Sequence, residues 1–270
     1  MARSYPPTRH ILRHLRLCHT VDDEGNISAT MPILPDLLDE GGWLRLGAIA
    51  TLVDSVAGHH GVMQVAPDWV ATLQLGTVLS RKAEGTEVTA ECRPLRIGRN
   101  NVVTETAISD SSGEIARATC TYARLPARTN NPSVGTGKGQ VVDYAEDNEE
   151  HPRPMLEDYL RADINPNEPV IELPHHSRIH NSFGSIQGGA VAVLADAMAA
   201  HLCRLILKTP ARCTSADVHY LAQAKGGPFR VEGEALRIDQ TAVTSRIRII
   251  DVGNDNRLLD VATATATSIE

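Results

Sequence analysis

Apolar residues recur along this chain with two different periods, and the two periods alternate twice. In residues 190–197, Ala190, Val193, Leu194 and Ala197 fall at i, i+3, i+4 and i+7, which is one face of a helix. The segment 46–59 reads the same way, with Thr51 and Ser55 interrupting the apolar face. After each helix the period drops to two. Val88, Ala90 and Cys92 alternate with polar residues, as do Val231, Gly233 and Ala235. Val243, Ser245, Ile247 and Ile249 alternate with Thr244, Arg246 and Arg248. Short strands are predicted ahead of the helices, around Ile27–Met31 and Val170–Leu173. Turns are expected at EGTE, DSSGE, KGGP and DVGNDN. Each half therefore predicts one helix followed by about four antiparallel strands, an α+β unit with the helix on one face of the sheet.

The halves are also alike residue by residue. GWLRLGAIATLVDSVAGH (42–59) aligns with GSIQGGAVAVLADAMAAH (184–201), with eight of 18 positions identical. The identities include Gly47/Gly189, Asp54/Asp196 and His59/His201. The same offset pairs Thr72 with Thr214. One residue is then lost, and LRIGRNNVVT (95–104) lies over LRIDQTAVTS (236–245). The reading is a tandem duplication: an N-terminal repeat over 1–125, a linker over 126–155 and a C-terminal repeat over 156–270. The linker is rich in Gly, Pro, Asn and acids. MLEDYLRADI after it reads as a packing segment of the second repeat, with a short helix as the alternative.

Composition narrows the function. Among 270 residues, Lys and Arg number 26 against 33 Asp and Glu, a net charge of -7 with no basic block. Nucleic acid is a poor partner for such a chain, because phosphate neutralisation dominates that affinity. Aromatic residues are only 3%, so the core must be built from Ala, Val, Leu and Ile. The N-terminus is basic without an apolar run, and no stretch is expected to reach the roughly 18 apolar residues that span a bilayer. Five scattered cysteines without a CxxC spacing point to a reduced, cytoplasmic protein.

The second repeat carries the chemistry: Asn181, then Gln187-Gly188-Gly189, then Asp196 nine residues after Gln187 and Thr214 eighteen residues further on. The set resembles the hotdog-fold acyl-CoA thioesterases of the phenylacetate-pathway type, whose pattern is an Asn, a His-Gly-Gly opening the central helix, a helical Asp, and a Ser or Thr in the next strand. Gln187 stands where that family usually has His. The resemblance implies a double hotdog, two helices inside one extended sheet. It also implies sites between the repeats, with the Gly end of one helix meeting the Asp of the other. One site then combines Asn181, Gln187, Gly188 and Gly189 with Asp54 and Thr72. The other combines Asp39, Arg45 and Leu46 with Asp196 and Thr214, and lacks the Asn and the first Gly.

Thioester hydrolysis needs a polarised carbonyl and a nucleophile. A helix N-terminus offers unpaired N–H groups, and glycine allows close approach. A carboxylate activates water or attacks directly. The expectation is one working site on Asp54, with an acyl-CoA substrate, no cofactor, no membrane, and a homodimer of such chains. Two alternatives stay open. A hotdog hydratase or dehydratase would use a His, and Asp54-x4-His59 and Asp196-x4-His201 resemble such a pair. Five residues turn a helix by 500°, however, so Asp and His diverge, and packing or surface roles are expected for both histidines. A non-catalytic acyl-CoA or lipid binder is the other alternative. Arg178, Arg204, Lys208 and Arg212 are candidates for CoA phosphates, and solvated helix and loop ends account for them equally well.

Overall fold

A computed structural model describes residues 5–128, 137–145 and 152–269. The first half runs α1 (Ile11–His14), β1 (Cys18–Val21), β2 (Ile27–Pro32), α2 (Leu46–Val65), β3 (Trp69–Leu79), β4 (Glu87–Ile97), β5 (Asn101–Asp110) and β6 (Gly113–Leu125). A short strand β7 (Gln140–Asp143) follows. The second half repeats the order as α3 (Leu156–Tyr159), β8 (Asp163–Ile164), β9 (Val170–Leu173), α4 (Gly188–Leu207), β10 (Ala211–Tyr220), β11 (Phe229–Ile238), β12 (Ala242–Asp251) and β13 (Arg257–Ser268).

The described strands form one sheet in the order β7-β1-β2-β4-β5-β6-β3-β10-β13-β12-β11-β9-β8. The two halves are mirror-ordered about its centre. There β3 pairs antiparallel with β10, with Leu75 opposite Val218 and Gly76 opposite Asp217. The alternation read from the sequence is the alternation of burial: Val243, Ser245, Ile247 and Ile249 on β12 all point inward.

Helices α2 and α4 lie side by side against this sheet, with the sister helix on the other flank. A Cβ on Gly47 would sit 2.7 Å from the Val193 Cα, and one on Gly189 would sit 2.6 Å from the Thr51 Cα. The two glycines let the backbones meet. This burial on several sides explains why α2 lacks a clean apolar stripe. Thr51, which interrupted the pattern, is fully buried and donates its hydroxyl to the Gly47 carbonyl at 2.8 Å.

Three expectations need amendment. Residues 140–143 fall inside the segment read as a linker, yet they form the edge strand β7 against β1; residues 129–136 and 146–151 of that segment lie outside the described residues. Helix α4 does have the length and apolar composition of a membrane-spanning helix, contrary to the sequence reading, but most of it is buried as the core helix of the second half. The third concerns α1, which the hydrophobic pattern did not announce. Its sister α3 meets it where the rings of His14 and Tyr159 stack at 3.8 Å.

Candidate active site

Asp54 comes from the middle of α2 and is buried. Its Oδ1 accepts from the Thr72 hydroxyl at 3.1 Å, which β3 brings alongside the helix. Its Oδ2 accepts from the Gln187 amide Nε2 at 2.8 Å and from the Gly189 N–H at 3.2 Å. Both of those groups belong to the other half of the chain. A Cβ on Gly188 would sit 2.7 Å from Asp54 Oδ1, so glycine is what allows the carboxyl to reach the helix start. Gln187 is the N-cap of α4. Its side-chain oxygen accepts from the Ala190 N–H at 2.9 Å while its nitrogen holds Asp54. The Gly188 N–H has no protein acceptor among the described residues. Burial pushes the Asp54 carboxyl up to about 6, against the Thr72 hydroxyl and the Gly189 amide, which favour its ionised form.

Asn181 shapes the approach. Its Oδ1 accepts from the N–H groups of Phe183 and Ser185 at 2.9 and 3.0 Å, which folds the loop that enters α4. The Tyr220 hydroxyl donates to the Gly188 carbonyl at 2.8 Å. A cavity of about 870 Å³ joins these groups and exposes Asp54, Thr72, Asn181, Gln187 and Gly188 along one wall. That volume suits a small-molecule ligand.

The histidines separate. His201 donates from Nε2 to the Glu168 carbonyl, 3.0 Å away, and is buried. His59 instead lines the cavity. Its Nδ1 lies 3.3 Å from Nδ1 of His19, whose Nε2 lies 3.0 Å from the Ser55 hydroxyl. Hydrophobic periodicity carries no sign of this chain of contacts, because β1, which holds His19, is only four residues long. Of the arginines set against CoA phosphates, Arg178 bonds the Tyr159 carbonyl at 2.9 Å. Arg212 pairs with Asp39 at 2.8 Å and covers the Trp43 ring at 4.3 Å.

The equivalent place around Asp196 is filled. Asp39 folds its loop as Asn181 does, accepting from Gly41 and Trp43 N–H groups at 2.7 and 3.1 Å. Its other oxygen is taken by Arg212. Arg45, in the N-cap place of Gln187, makes no capping bond and forms an ion pair with Glu157. Leu46 is buried where the second helix has Gly188. Burial pushes Asp196 up to about 7, with Arg45 opposing and Glu157 reinforcing the shift. Thr214 does not meet Asp196; it donates to the Thr265 carbonyl at 3.2 Å. The residue lost between the repeats falls at the helix-to-strand loop, ahead of this position rather than behind it. The strand bulges show it: Thr72 pairs with Tyr122 before the skip at Leu73, and Cys213 pairs with Ala266 before the skip at Thr214. Cys213 thus takes the place of Thr72, near enough to Asp196 for a charge there to add to the burial that raises its thiol.

Comparison with known proteins fits this geometry. Residues 178–269 match the family model of the acyl-CoA thioesterase N-terminal domain. The proofreading thioesterase EntH of Klebsiella pneumoniae is 29% identical over 112 residues, 41% of this chain and 80% of that one. A hot dog fold protein of Alicyclobacillus acidocaldarius superposes with a TM-score of 0.62 at 13% identity, covering 96% of this chain and 98% of its own. An acyl-ACP thioesterase of Bacteroides thetaiotaomicron gives 0.58 at 15% identity, covering 88% of this chain and 96% of its own. At such identities the solved structures establish the fold. Together the matches define the hotdog-fold thioesterases as the class. The family model covers much of the second half of the chain and the fold likeness covers most of its length, and together with the curated relative they support a thioester hydrolase.

Proposed function

We propose that this protein is an acyl-CoA thioesterase, hydrolysing an acyl or aroyl thioester to the free acid and CoA at one working site between two tandem hotdog repeats. The repeats are 1–125 and 156–270, joined through 126–155. The observation that carries the reading is the Asp54 carboxyl of the first repeat held against the Gly188–Gly189 helix start of the second, inside an open cavity.

In the proposed reaction the thioester oxygen lies at the Gly188 N–H, where the helix dipole favours developing negative charge. Asp54 takes a proton from water as the water oxygen bonds to the carbonyl carbon. The tetrahedral oxyanion collapses, the carbon–sulfur bond breaks, and the proton on Asp54 passes to the leaving thiolate. Thr72 and Gln187 keep the carboxyl oriented through the cycle. Asn181 holds the loop that the thioester passes. Asp196 faces a helix that starts at Leu46 rather than glycine and, among the described residues, has no hydroxyl bonded to it, so the second site is inactive. A hydratase would need a histidine at the thioester, whereas His59 is engaged by His19. The five free cysteines fit a reducing, cytoplasmic setting, and a homodimer of these chains is the proposed assembly.

The test is free-thiol release across short, long and aromatic acyl-CoAs, with Asp54→Asn and Asp196→Asn run beside the unaltered protein. Turnover that survives Asp54→Asn and disappears in Asp196→Asn would overturn the assignment.

A further inference from the structure

The cavity beside Asp54 has a second polar wall that hydrolysis does not use. In the first half, Leu79 on β3 faces Ala116 on β6. In the second half the matching pair, across β10 and β13, is Tyr220 and Asp260. The bulges fix the match: β6 skips Ile115 opposite Ile108 and Ser109, and β13 skips Leu259 opposite Ile249 and Ile250. Leu79 and Ala116 are both buried, an ordinary apolar pair. Tyr220 and Asp260 line the cavity. One half thus has two polar groups where its sister has two apolar ones, and it does so where the space is open.

Asp260 is only 4% exposed, and among the described residues no hydrogen bond or ion pair reaches its carboxyl. A buried carboxyl without a partner is costly. Alanine serves the same position in the sister repeat, so the fold does not require an acid there. Tyr220 donates to the Gly188 carbonyl, which leaves its oxygen lone pairs free to accept and ties this wall to the helix start that holds the thioester.

We propose that Tyr220 and Asp260 form a subsite for a hydroxyl group on the acyl chain, so that the enzyme selects hydroxyacyl thioesters over their unsubstituted counterparts. A hydroxyl is the ligand that fits the protonation state: burial pushes Asp260 up to about 8, which leaves it a neutral carboxyl at pH 7, donor and acceptor at once. It can accept from the substrate hydroxyl or donate to it, and Tyr220 supplies a second acceptor. The subsite rests on the thioesterase reading.

The experiment compares kcat/KM for aliphatic acyl-CoAs of equal length with and without a hydroxyl at successive chain positions. It uses the unaltered protein, Asp260→Ala and Asp260→Asn. Binding of the matching non-hydrolysable thioether analogues is measured by calorimetry in parallel. The unaltered protein is expected to favour the hydroxyl at one position by about tenfold, the equivalent of one buried hydrogen bond. Asp260→Ala, which copies Ala116, is expected to bring the ratio within about twofold, and Asp260→Asn to keep most of it. No preference in the unaltered protein, or one that survives in Asp260→Ala, overturns the subsite. If no thioester is hydrolysed at all, the hydrolase reading fails, and thioether binding still decides this one.

Discussion

Gln187 binds Asp54 across 133 positions of sequence with one end of its amide and caps its own helix with the other. A neutral amide donates and accepts at the same time, so one side chain sets both the helix start and the carboxyl. Gln187→Ala is expected to lose about 1 kcal/mol of stability through the missing cap. It should also lower kcat by about 10- to 100-fold through a loosened Asp54. Gln187→His should retain activity, since a neutral imidazole also has one donor and one acceptor. Gln187→Glu would set a second acid beside Asp54, and the pH at which activity appears should move up. Chemical denaturation and pH profiles of the three variants check these outcomes.

Asp54 must be ionised to take a proton from water, and burial has raised its carboxyl to about 6. The profile of log(kcat/KM) is therefore expected to climb with unit slope below about pH 6 and level above it. Thr72→Val removes the hydroxyl that favours the ionised form, so the midpoint should shift to higher pH while the protein stays folded. A midpoint that does not respond to Thr72→Val would assign the titration to another group.

Much of this site was legible because the chain repeats itself. Once Asp54 and Asp196 are sisters, a shared interface makes each face the start of the other's helix, and only α4 starts on a glycine. What escaped the sequence were contacts that periodicity does not encode. A one-residue loss inside a loop leaves no mark in composition, so Thr214 looked like the partner of Thr72 although β10 presents Cys213 there. Thr51 looked like a break in a helix face and is a buried hydroxyl that bonds its own backbone. His19 reaches His59 from a strand too short to announce itself. Glu157 meets Arg45 from 112 residues away.

That last pair makes a prediction about the filled site. Arg45 and Glu157 retain only 20% and 11% side-chain exposure, so removing one partner strands the other away from water. Arg45→Met alone should cost about 2 kcal/mol, less than a fully buried pair because some water reaches it. Arg45→Met with Glu157→Leu should recover most of the loss. Thiol release should persist in both, because neither residue touches Asp54. A double-mutant cycle on urea midpoints reads the coupling, and strict additivity would mean that the pair is not formed in solution.

The buried carboxyls predict how stability depends on pH. Asp196 titrates near 4 when the chain is unfolded and is pushed up to about 7 when folded. The folded state therefore holds this proton over a range in which the unfolded state has released it. Its contribution to stability is complete below about pH 4 and is lost as pH rises towards 7. Asp54 and Asp260, also raised by burial, act in the same direction. Asp196→Asn removes such a group that the reaction does not use and that lies outside the cavity beside Asp54. Its melting temperature should lie close to that of the unaltered protein at pH 4 and above it at pH 8, with turnover retained. Equal slopes of melting temperature against pH in the two proteins would mean that Asp196 is already ionised in the fold, and that Arg45 rather than burial governs its charge.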